Sequence, residues 1–482
     1  MKYWISLLVL MVSLSATAQQ SINISDALRQ MIEHNKTISS AKYGIDAAYR
    51  EYRAIEGLRL PQIDLVGCYT LMQHNIDIDL GGAKGIVTES LDGIINSGLS
   101  QGLLSPAIAS FLADGLTPLT GIDWLYRLQN RHFGFVGTTF TMPIYMGGRI
   151  GVASRVAKLK IEGAEIGLNG IVCGLVTELI ERYYGVVLAR EVVAVKEFVV
   201  EGVKQHLRDA ETMEEQGVLA HSVVLYLQYK LSEVERDYSD AVSKLRIAQR
   251  ALQTTIQSND EVVISDYMFL VNEIYDIDYY RDSALNYNAA IGEANNAMHL
   301  SSEGVNLARS DFMPQVVVMG GASLYSYNLS QMLPSWAFGV GVSMPLFGAL
   351  SRQERYRAAK SVERSVLNMA AKAKEDILLL VDREYYTLQN AMLDIASSKR
   401  SITFAESYYT TALEGFKEGV TPSSDLMDAR IALAASKVEY LDAVYNSVLS
   451  LAKLLEVSGL SDRFLEYKSR SVEVKIDIIT DL

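Results

Sequence analysis

Apolar residues with coiled-coil spacing dominate the chain between Gly148 and about Gln257. In the second half of this stretch they recur alternately three and four positions apart, which is the pattern of a helix that packs along a seam. The seam positions are Val224, Leu227, Leu231, Val234, Tyr238, Ala241, Leu245, Ala248 and Leu252. The stretch contains no proline and one break, at 214–218. We therefore predict a long helical hairpin whose first arm, from Gly148 to about Met213, is on the order of 95 Å long.

Shorter stretches alternate bulky residues with small or polar ones, as β-strands do when their two faces differ. The clearest cases are Trp336, Phe338, Val340 and Val342 in one strand and Ile63, Leu65, Tyr69 and Leu71 in another. A strand of about ten residues with one bulky face suits a barrel wall between lipid and water. Two further strands, before Pro143 and after Pro314, alternate less cleanly, and the sequence leaves their facing open.

The positions of the prolines indicate a tandem duplication. Pro61 and Pro314 stand 253 positions apart, and each is followed by Gln and an apolar run. Pro143 and Pro345 form a second pair, 202 positions apart, in similar strand-to-helix turns. We interpret all four prolines as strand–helix junctions.

The breaks of the helical hairpins repeat at the same offset, because Gly217-Val218 matches Gly419-Val420. The predicted first repeat spans 19–258 and the second spans 283–482. Each has the order helix, strand, strand, long helical hairpin, and the second ends in a short carboxy-terminal tail. Residues 259–282 form an acidic linker between the repeats, for which solvated surface is the default expectation.

Two segments have no counterpart in the duplication. Residues 1–18, with Lys2, an apolar centre and a small-residue end, have the pattern of a secretory signal peptide. Residues 75–130 form an insertion between two strands, and its apolar, glycine-punctuated sequence predicts short helices at the cell surface. No later stretch has about 18 uninterrupted apolar residues, so the sequence predicts no transmembrane helix.

Four strands cannot close a membrane barrel, and an open sheet edge is not tolerated in lipid. The chain is therefore predicted to oligomerise. Two copies would supply about eight strands and an interior filled by side chains, whereas three would supply about twelve and leave room for an aqueous bore. The sequence alone favours neither number.

Charge and motif content exclude several classes of function. A formal net charge of -13 makes the chain a poor candidate for binding nucleic acid through a basic face. Two distant cysteines, Cys68 and Cys173, are too few for a structural metal site. The histidines have neither HExxH nor HxxxH spacing, and the chain has no GxxxxGK[ST] loop. We therefore predict no enzymatic activity, no cofactor and no metal site.

The chain resembles the TolC-like outer membrane efflux family in its duplicated order, in the turns Met142–Gly148 and Met344–Gly348, and in the second hairpin tip, Gly419–Ala429. The resemblance covers essentially the whole mature chain. It implies a mainly α fold with a membrane β-barrel, in which long coiled-coil hairpins form a periplasmic tunnel. Four strands per chain would contribute to a twelve-stranded barrel in a homotrimer, and the acidic linker would lie at the equator of the tunnel. A periplasmic adaptor protein and an inner-membrane pump would dock at the helical tips.

Asp425 and Asp428 lie three positions apart, so a helix places them on one face. The resemblance implies that they ring the periplasmic entrance, where the carboxylates of three copies would favour cations. The alternative is helix-end chemistry, with Thr421 as the cap, Pro422 in the first helical position and Asp425 near the positive end of the helix dipole.

The glycines of the two tips are expected to permit tight reversals of the chain. Some tip residues are expected either to dock the adaptor or to pack between hairpins. They are Gly217, Val218, Leu219, Gly419, Val420, Thr421 and Leu426. The first tip departs from the family pattern at Val223, where the family often has an acidic or polar latch residue, so the gate mechanism stays open.

The resemblance implies an outer membrane protein with a large periplasmic portion. It would act as the exit duct of a tripartite efflux pump, a passive conduit for small molecules. Two alternatives stay open: the exit duct of an ATPase-driven protein secretion system, and a coiled-coil structural protein without a pore. The sequence identifies neither the transported substrate nor the pump or adaptor.

Overall fold

The computed structural model describes residues 21–121, 123–258, 262–330, 333–347 and 350–474. The predicted signal peptide, the first residues of the acidic linker and Gly348 lie outside these ranges. The chain forms two compact units. A helical unit contains the residues up to Tyr52, Arg155–Val305 and the residues from Arg357 on, and a strand unit contains Arg53–Ser154 and Asn306–Tyr356.

In chain order the helices are α1 (Ile24–His34), α2 (Lys36–Gly57), α3 (Gly81–Ser100), α4 (Pro106–Gly121), α5 (Arg149–Glu215), α6 (His221–Ile256), α7 (Ile277–Tyr287), α8 (Ala289–Ser310), α9 (Ser351–Lys417), α10 (Ser423–Val457) and α11 (Phe464–Ser469). A 3-10 turn, Ser461–Arg463, precedes α11. The strands are β1 (Ser21–Ile22), β2 (Gln62–Leu71), β3 (Ile76–Asp79), β4 (Leu125–Gln129), β5 (His132–Met146), β6 (Val263–Ile264), β7 (Met268–Leu270), β8 (Gln315–Tyr327), β9 (Trp336–Ser343) and β10 (Val472–Val474).

Two hairpins of very long helices dominate the chain. Helices α5 and α9 each have 67 residues, which corresponds to about 100 Å. The returning helices α6 and α10 have 36 and 35 residues. The prediction of a mainly α fold with long helical hairpins is confirmed, and α5 ends at Glu215, close to the predicted end of the first arm.

The predicted seam lies in the core of the helical unit. The buried seam residues of α6 are Val224, Leu227, Val234, Ala241 and Leu252, and the remaining seam positions pack against the core. In α10, apolar residues stand 202 positions after several of the seam positions and are also buried: Leu426, Ala429, Leu433, Tyr440 and Ala443. In total α10 buries 19 of its 35 residues, but α9 buries only 10 of 67. Helix α10 therefore lies in the interior of the unit and α9 at its flank.

The acidic linker is more than solvated surface. Its described part contains β6 and β7, which pair with β1 and β10, and it buries Phe269 completely. Asp266 Oδ2 accepts hydrogen bonds from Ile24 N at 2.9 Å and from Tyr183 Oη at 3.0 Å, and it pairs with Lys468 Nζ at 2.7 Å. These contacts join the linker to the first and last described helices. The default expectation therefore fails for Asp266 and for β7. It holds for the acidic residues of the linker that are exposed: Glu273, Asp276, Asp278 and Asp282.

The strand unit is built on one antiparallel sheet with the order β2-β5-β8-β9. One row across the sheet runs through Ile63, Phe140, Gly320 and Phe338. The rings of Phe140 and Phe338 meet edge to face with 5.8 Å between centroids. A Cβ on Gly320 would lie 2.2 Å from Phe338 Cδ1, so the glycine makes room for this contact. The row places Phe140 and Gly320 on the bulky face and settles the facing of β5 and β8.

The bulky face of this sheet is exposed in the single chain. Ile63, Leu65, Phe338 and Val340 have 61–71% of their surface accessible. The opposite face carries small and polar residues, among them Gln62, Asp64, Cys68, Thr70, Ala337, Gly339 and Gly341. Among the described residues β2 and β9 pair on one side only, so the sheet keeps two open edges. An apolar outer face and open edges are what a piece of a larger barrel wall would show.

Three of the predicted junction prolines flank strands. Pro61 precedes β2, Pro314 precedes β8 and Pro345 follows β9. Pro143 instead lies inside β5, at a shift in register before Tyr145. A bulge tolerates proline because the local ladder is already interrupted there.

The 75–130 insertion contains short helices, as predicted, in α3 and α4. It also contains a β-ribbon of β3 with β4, which the sequence analysis missed. The alternation of apolar and acidic residues in Ile76-Asp77-Ile78-Asp79 is the signal that could have identified it.

Candidate entrance at the hairpin tips

The two hairpin tips have the same backbone structure. The glycines Gly217 and Gly419 adopt positive φ angles of 74° and 77°. Each glycine donates to the carbonyl three residues back, and the following valine, Val218 or Val420, donates to the carbonyl five residues back, at 2.8–3.0 Å. A left-handed residue that ends a helix in this way is most readily a glycine, because a Cβ would be strained there.

The predicted tip residues differ in their exposure. Val218 and Val420 are 73% and 75% exposed, whereas Leu219 and Thr421 are half-buried. Leu426 is only 3% exposed and belongs to the core. Of the two roles expected for Leu426, adaptor docking and packing between the hairpins, its burial supports packing.

Helix α10 begins without a side-chain cap. Pro422 occupies the N-cap position in an extended conformation, and its carbonyl accepts from Asp425 N at 3.1 Å. Thr421 Oγ1 packs against the opposite arm, where a Cβ on Gly415 would lie 2.2 Å away. The helix-end alternative is therefore wrong for Thr421 and Pro422. The part of this alternative that holds is the position of Asp425 in the first turn of α10, near the positive end of the helix dipole.

Asp425 and Asp428 are both exposed and share one face of α10. Ser424 Oγ donates to Asp425 Oδ1 at 3.0 Å. On α6, the pKa of Tyr226 is raised, chiefly by burial and in part by the neighbouring carboxylates of Asp428 and Asp425. The two carboxylates thus lie close to the first hairpin and concentrate negative charge near the tips.

The two hairpins are joined near their tips by His206 of α5. Its Nε2 shares a hydrogen bond with Ser423 Oγ at 2.6 Å, and its ring meets Phe416 edge on at 4.6 Å. The imidazole is 6% exposed, and its pKa is lowered first by burial and then by the charge of Arg430. His206 is therefore neutral near pH 7.

This contact sets the two tips at different levels. His206 precedes Gly217 by 11 residues, but its partners Phe416 and Ser423 stand only 3 and 4 residues from Gly419. At about 1.5 Å per residue the first tip therefore extends about 11 Å beyond the second.

A buried arginine lies where α5, α9 and α10 meet. Arg430 is 7% exposed, and its Nη2 donates to Tyr409 Oη at 2.6 Å. The guanidinium lies over the rings of Phe198 and Tyr409, at 5.7 Å and 5.3 Å from their centroids. Its Nε and Nη1 have no hydrogen-bond partner among the described residues. The aromatic faces therefore provide much of what stabilises this charge.

The close approach of Arg430 to α5 depends on Gly202. The sequence analysis identified neither of these residues, nor His206. A glycine inside a long helix costs about 0.5–1 kcal/mol relative to alanine, so Gly202 was a signal of close packing.

A groove of about 430 Å³ runs between the hairpins further from the tips. Its walls include the apolar Val199 and Val234 and the charged Lys196, Glu233 and Asp442. Burial raises the pKa of Asp442. The groove thus combines an apolar floor with a mainly acidic rim.

The first tip has its own internal contact. His221 Nδ1 and Glu214 Oε1 lie 2.6 Å apart and connect the end of α5 to the start of α6. Val223, which stands where a latch residue was considered, is half-buried and packs against the core.

Metal and membrane signals are weak in the part of the chain that the structure describes. It contains no group of three or more His, Cys, Asp or Glu side chains that could hold a metal ion. Within the same residues, α5 alone contains a window apolar enough to cross a membrane by length and composition, and 22% of that window is buried. A core helix passes the same test, and the 67 residues of α5 far exceed the roughly 20 that a span needs.

Residues 280–460 match the family model described as "Outer membrane efflux protein". Solved structures match over nearly the whole chain. CusC has a TM-score of 0.71 and 15% identity, over 90% of this chain and 92% of CusC. The CmeC outer membrane channel of Campylobacter jejuni has a TM-score of 0.69 and 13% identity, over 91% of this chain and 86% of CmeC. The open MtrE outer membrane channel of Neisseria gonorrhoeae has a TM-score of 0.67 and 13% identity, over 91% of this chain and 89% of MtrE. No curated protein sequence matches.

The chain has the fold of an outer membrane efflux protein. The resemblance inferred from the sequence is confirmed. The family model covers the second repeat up to residue 460, including Gly419, Asp425 and Asp428. The first repeat, which contains Val223, lies outside the match, and there the efflux-protein fold rests on the structural similarity.

Proposed function

We propose that this chain is the outer membrane exit duct of a tripartite efflux pump, a passive conduit for small molecules. The observation that carries this proposal is the efflux-protein fold, in which one chain combines an open sheet with an exposed apolar face and two very long helical hairpins. The sheet crosses the outer membrane, and the hairpins line a tunnel through the periplasm. An inner-membrane pump supplies the energy for transport.

The duct is a homotrimer. The open edges of β2 and β9 require partners in lipid, because unpaired backbone groups are too costly there. Three copies supply about twelve strands and leave room for an aqueous bore, whereas two copies supply about eight, whose interior side chains fill.

An exposed seam on α9 supports this assembly. Six of its apolar positions are 56–73% exposed and follow one another at 7, 10, 7, 7 and 11 residues, which are close to whole numbers of helical turns: Val362, Met369, Leu379, Tyr386, Leu393 and Phe404. Such spacing is typical of a helix that packs against another helix. A neighbouring copy supplies that helix.

Helix α6 is the matching surface of the neighbouring copy. It packs on α5 through Lys196 and Asp237, whereas α9 packs on α10 through Tyr409 and Arg430. Since α5 and α10 meet each other at Gly202, α6 and α9 lie at opposite flanks of the helical unit. The flank of α6 exposes Leu225, Tyr229 and Ile247.

The tips form the periplasmic entrance and the docking surface. In three copies, Asp425 and Asp428 bring six carboxylates to the entrance, where they attract cations. The exposed Val218 and Val420 contact a periplasmic adaptor protein, and the groove between the hairpins receives it further along.

The test is an efflux assay in cells that lack this chain. They should accumulate a fluorescent cation such as ethidium, and the restored chain should return accumulation to the wild-type level. The chain should also require detergent for extraction. Unchanged dye accumulation, together with extraction into buffer alone, would favour a structural protein without a pore.

A further inference from the structure

A β-ribbon carries the insertion beyond one end of the four-stranded sheet. The β2–β5 ladder continues past Leu71, because Met72 N donates to Arg131 O at 2.8 Å. β3 then pairs with β4, and Leu80 N donates to Trp124 O at 3.0 Å. This end of the sheet is opposite to the end at which β5 leads into α5.

The ribbon is fixed to the neighbouring strands. Gln129 Nε2 donates to Asn328 O at 2.8 Å, and Ser330 N donates to Gln129 Oε1 at 2.9 Å. Within the ribbon, Arg127 Nε pairs with Asp77 Oδ1 at 3.1 Å. The insertion is therefore held at the rim of the sheet by both β2–β5 and the β8–β9 connection.

In the proposed duct, the helices of the insertion lie beyond the hydrocarbon. The ten residues of β2 already suffice to cross it when tilted. The ribbon from Ile76 to Leu80 adds about 16 Å, at about 3.3 Å per residue. Helices α3 and α4 follow only after this ribbon, so membrane lipid is a poor candidate to cover them.

The two helices nevertheless expose a large apolar surface. Ile86 and Ile94 of α3, Phe111 of α4 and Leu103 in the connection between them are 67–76% exposed. The only charged residues in the two helices are Lys84, Glu89, Asp92 and Asp114. An apolar surface of this kind beyond the membrane needs a protein partner.

We propose that α3 and α4 of three copies pack against one another as a cap over the outer mouth of the duct. This inference rests on the proposed trimer, because its symmetry brings three identical insertions to one rim. Twelve strands about 4.8 Å apart and tilted by about 40° enclose a mouth roughly 25 Å across. Helix α3, with 20 residues, is about 30 Å long and can reach past its centre.

A native cysteine reports directly on the cap. Cys68 is exposed on the small, polar face of β2, near the outer end of the sheet, and in the duct it faces the lumen. In a Cys173→Ser background it is the remaining cysteine of the chain. Its labelling on intact cells, by a maleimide carrying a polymer chain, measures entry through the mouth and does not depend on the tips.

The structure suggests a clean excision. Since Leu80 N already bonds to Trp124 O, residues 81–123 can be replaced by Asn-Gly, a two-residue hairpin turn. We expect polymer labelling of Cys68 to be roughly ten-fold faster in the excised chain, because the cap excludes large solutes from the pore. A small charged maleimide should label both chains at similar rates. Equal polymer labelling of both would overturn the cap.

A second experiment keeps the insertion whole. In a chain with Cys68→Ser and Cys173→Ser, a cysteine at Phe111 or Ile94 should form disulfide-linked dimers on mild oxidation. A cysteine at Tyr126, which is exposed on the ribbon, is the matched control and should not. Absence of cross-links at both helix positions in an intact trimer would contradict the cap, as would quenching of a fluorophore at Phe111 by brominated lipid.

The outcomes separate the cap from the proposed function. If even the small maleimide fails to label Cys68 in either chain, the lumen-facing sheet and with it the duct are wrong. If the small maleimide labels Cys68 quickly and the polymer maleimide labels the intact and the excised chain at equal rates, only the cap is wrong.

Discussion

The guanidinium of Arg430 occupies the space that a side chain at Gly202 would need, since a Cβ there would lie 1.1 Å from Nη1. Arg430 also bonds to Tyr409 and covers Phe198. One arginine thus connects α5, α9 and α10 close to the proposed entrance. The packing of the two hairpins there depends on the absence of a Cβ at a single position.

Gly202→Ala should therefore destabilise the helical unit. The added methyl group displaces the guanidinium from Tyr409 and Phe198, which costs about 1–3 kcal/mol of unfolding free energy, and the better helix propensity of alanine returns about 0.5–1 kcal/mol of it. Denaturant unfolding followed by circular dichroism measures it. Arg430→Met is the matched partner: the double variant should lose less than the sum of the two single losses. Additive losses would mean that the two positions do not interact.

Acidification should loosen the same junction. The pKa of His206 in the folded chain lies below its usual value of 6.5, so folding favours the neutral imidazole. The stability that the neutral imidazole contributes is complete above about pH 6.5 and is lost as the pH falls towards the folded-state pKa. Protonation adds a second cation beside Arg430, and Asp209 offsets it only in part. Proteolysis at the tips should accelerate between about pH 7 and 5.

His206→Gln is the control for this pH effect. Glutamine can keep a hydrogen bond to Ser423 but carries no titratable group. The rate of proteolysis of the His206→Gln chain should therefore change less over the same pH range than that of the unmodified chain. The same pH profile in both chains would show that another group is responsible.

Replacing Asp425 and Asp428 together with Asn should change ion passage through the entrance. Removal of six carboxylates per trimer lowers the local negative potential, so cation selectivity and block by multivalent cations should both fall. Single-channel recording in lipid bilayers measures both. Glu406→Gln with Glu414→Gln, two exposed positions on α9, is the matched control. Unchanged block in the Asn variant would limit Asp425 to helix-end electrostatics.

Cross-linking should locate the contact between copies. Leu393 stands 26 residues before Gly419 and Ile247 stands 30 residues after Gly217. With the tips offset by about 11 Å along the helix axes, the two positions differ by only about 5 Å along the same direction. Cysteines at both, in a chain with Cys68→Ser and Cys173→Ser, should give a ladder up to the trimer with a short bis-maleimide. Pairing Leu393→Cys with Val218→Cys should not, and failure of the first pair would place the interface elsewhere.

The sequence was sufficient for the parts of this fold that follow a period. The seam from Val224 to Leu252 and the matched glycines at 217 and 419 identified the hairpins, because helix packing imposes a spacing that a reader can count. The facing of β5 and β8 could not be obtained in this way. It depends on which residues stand opposite each other, and a glycine such as Gly320 contributes to the bulky face without being bulky.

The junction near the tips was out of reach for a different reason. His206, Arg430 and Gly202 come from α5 and α10, and only the offset between the two hairpins brings them together. The sequence also left open whether Leu426 docks a partner or packs, because its burial depends on tertiary contacts close to Gly419. Such contacts between repeats leave no periodic signal within either repeat.

The most direct test of the exit duct is the mass of the detergent-extracted protein, measured by light scattering with the detergent contribution subtracted. We expect about three times the mass of the mature chain, since three open sheets close one barrel. A monodisperse monomer that stays soluble without detergent would contradict it, because the sheet would then have neither lipid nor partner strands.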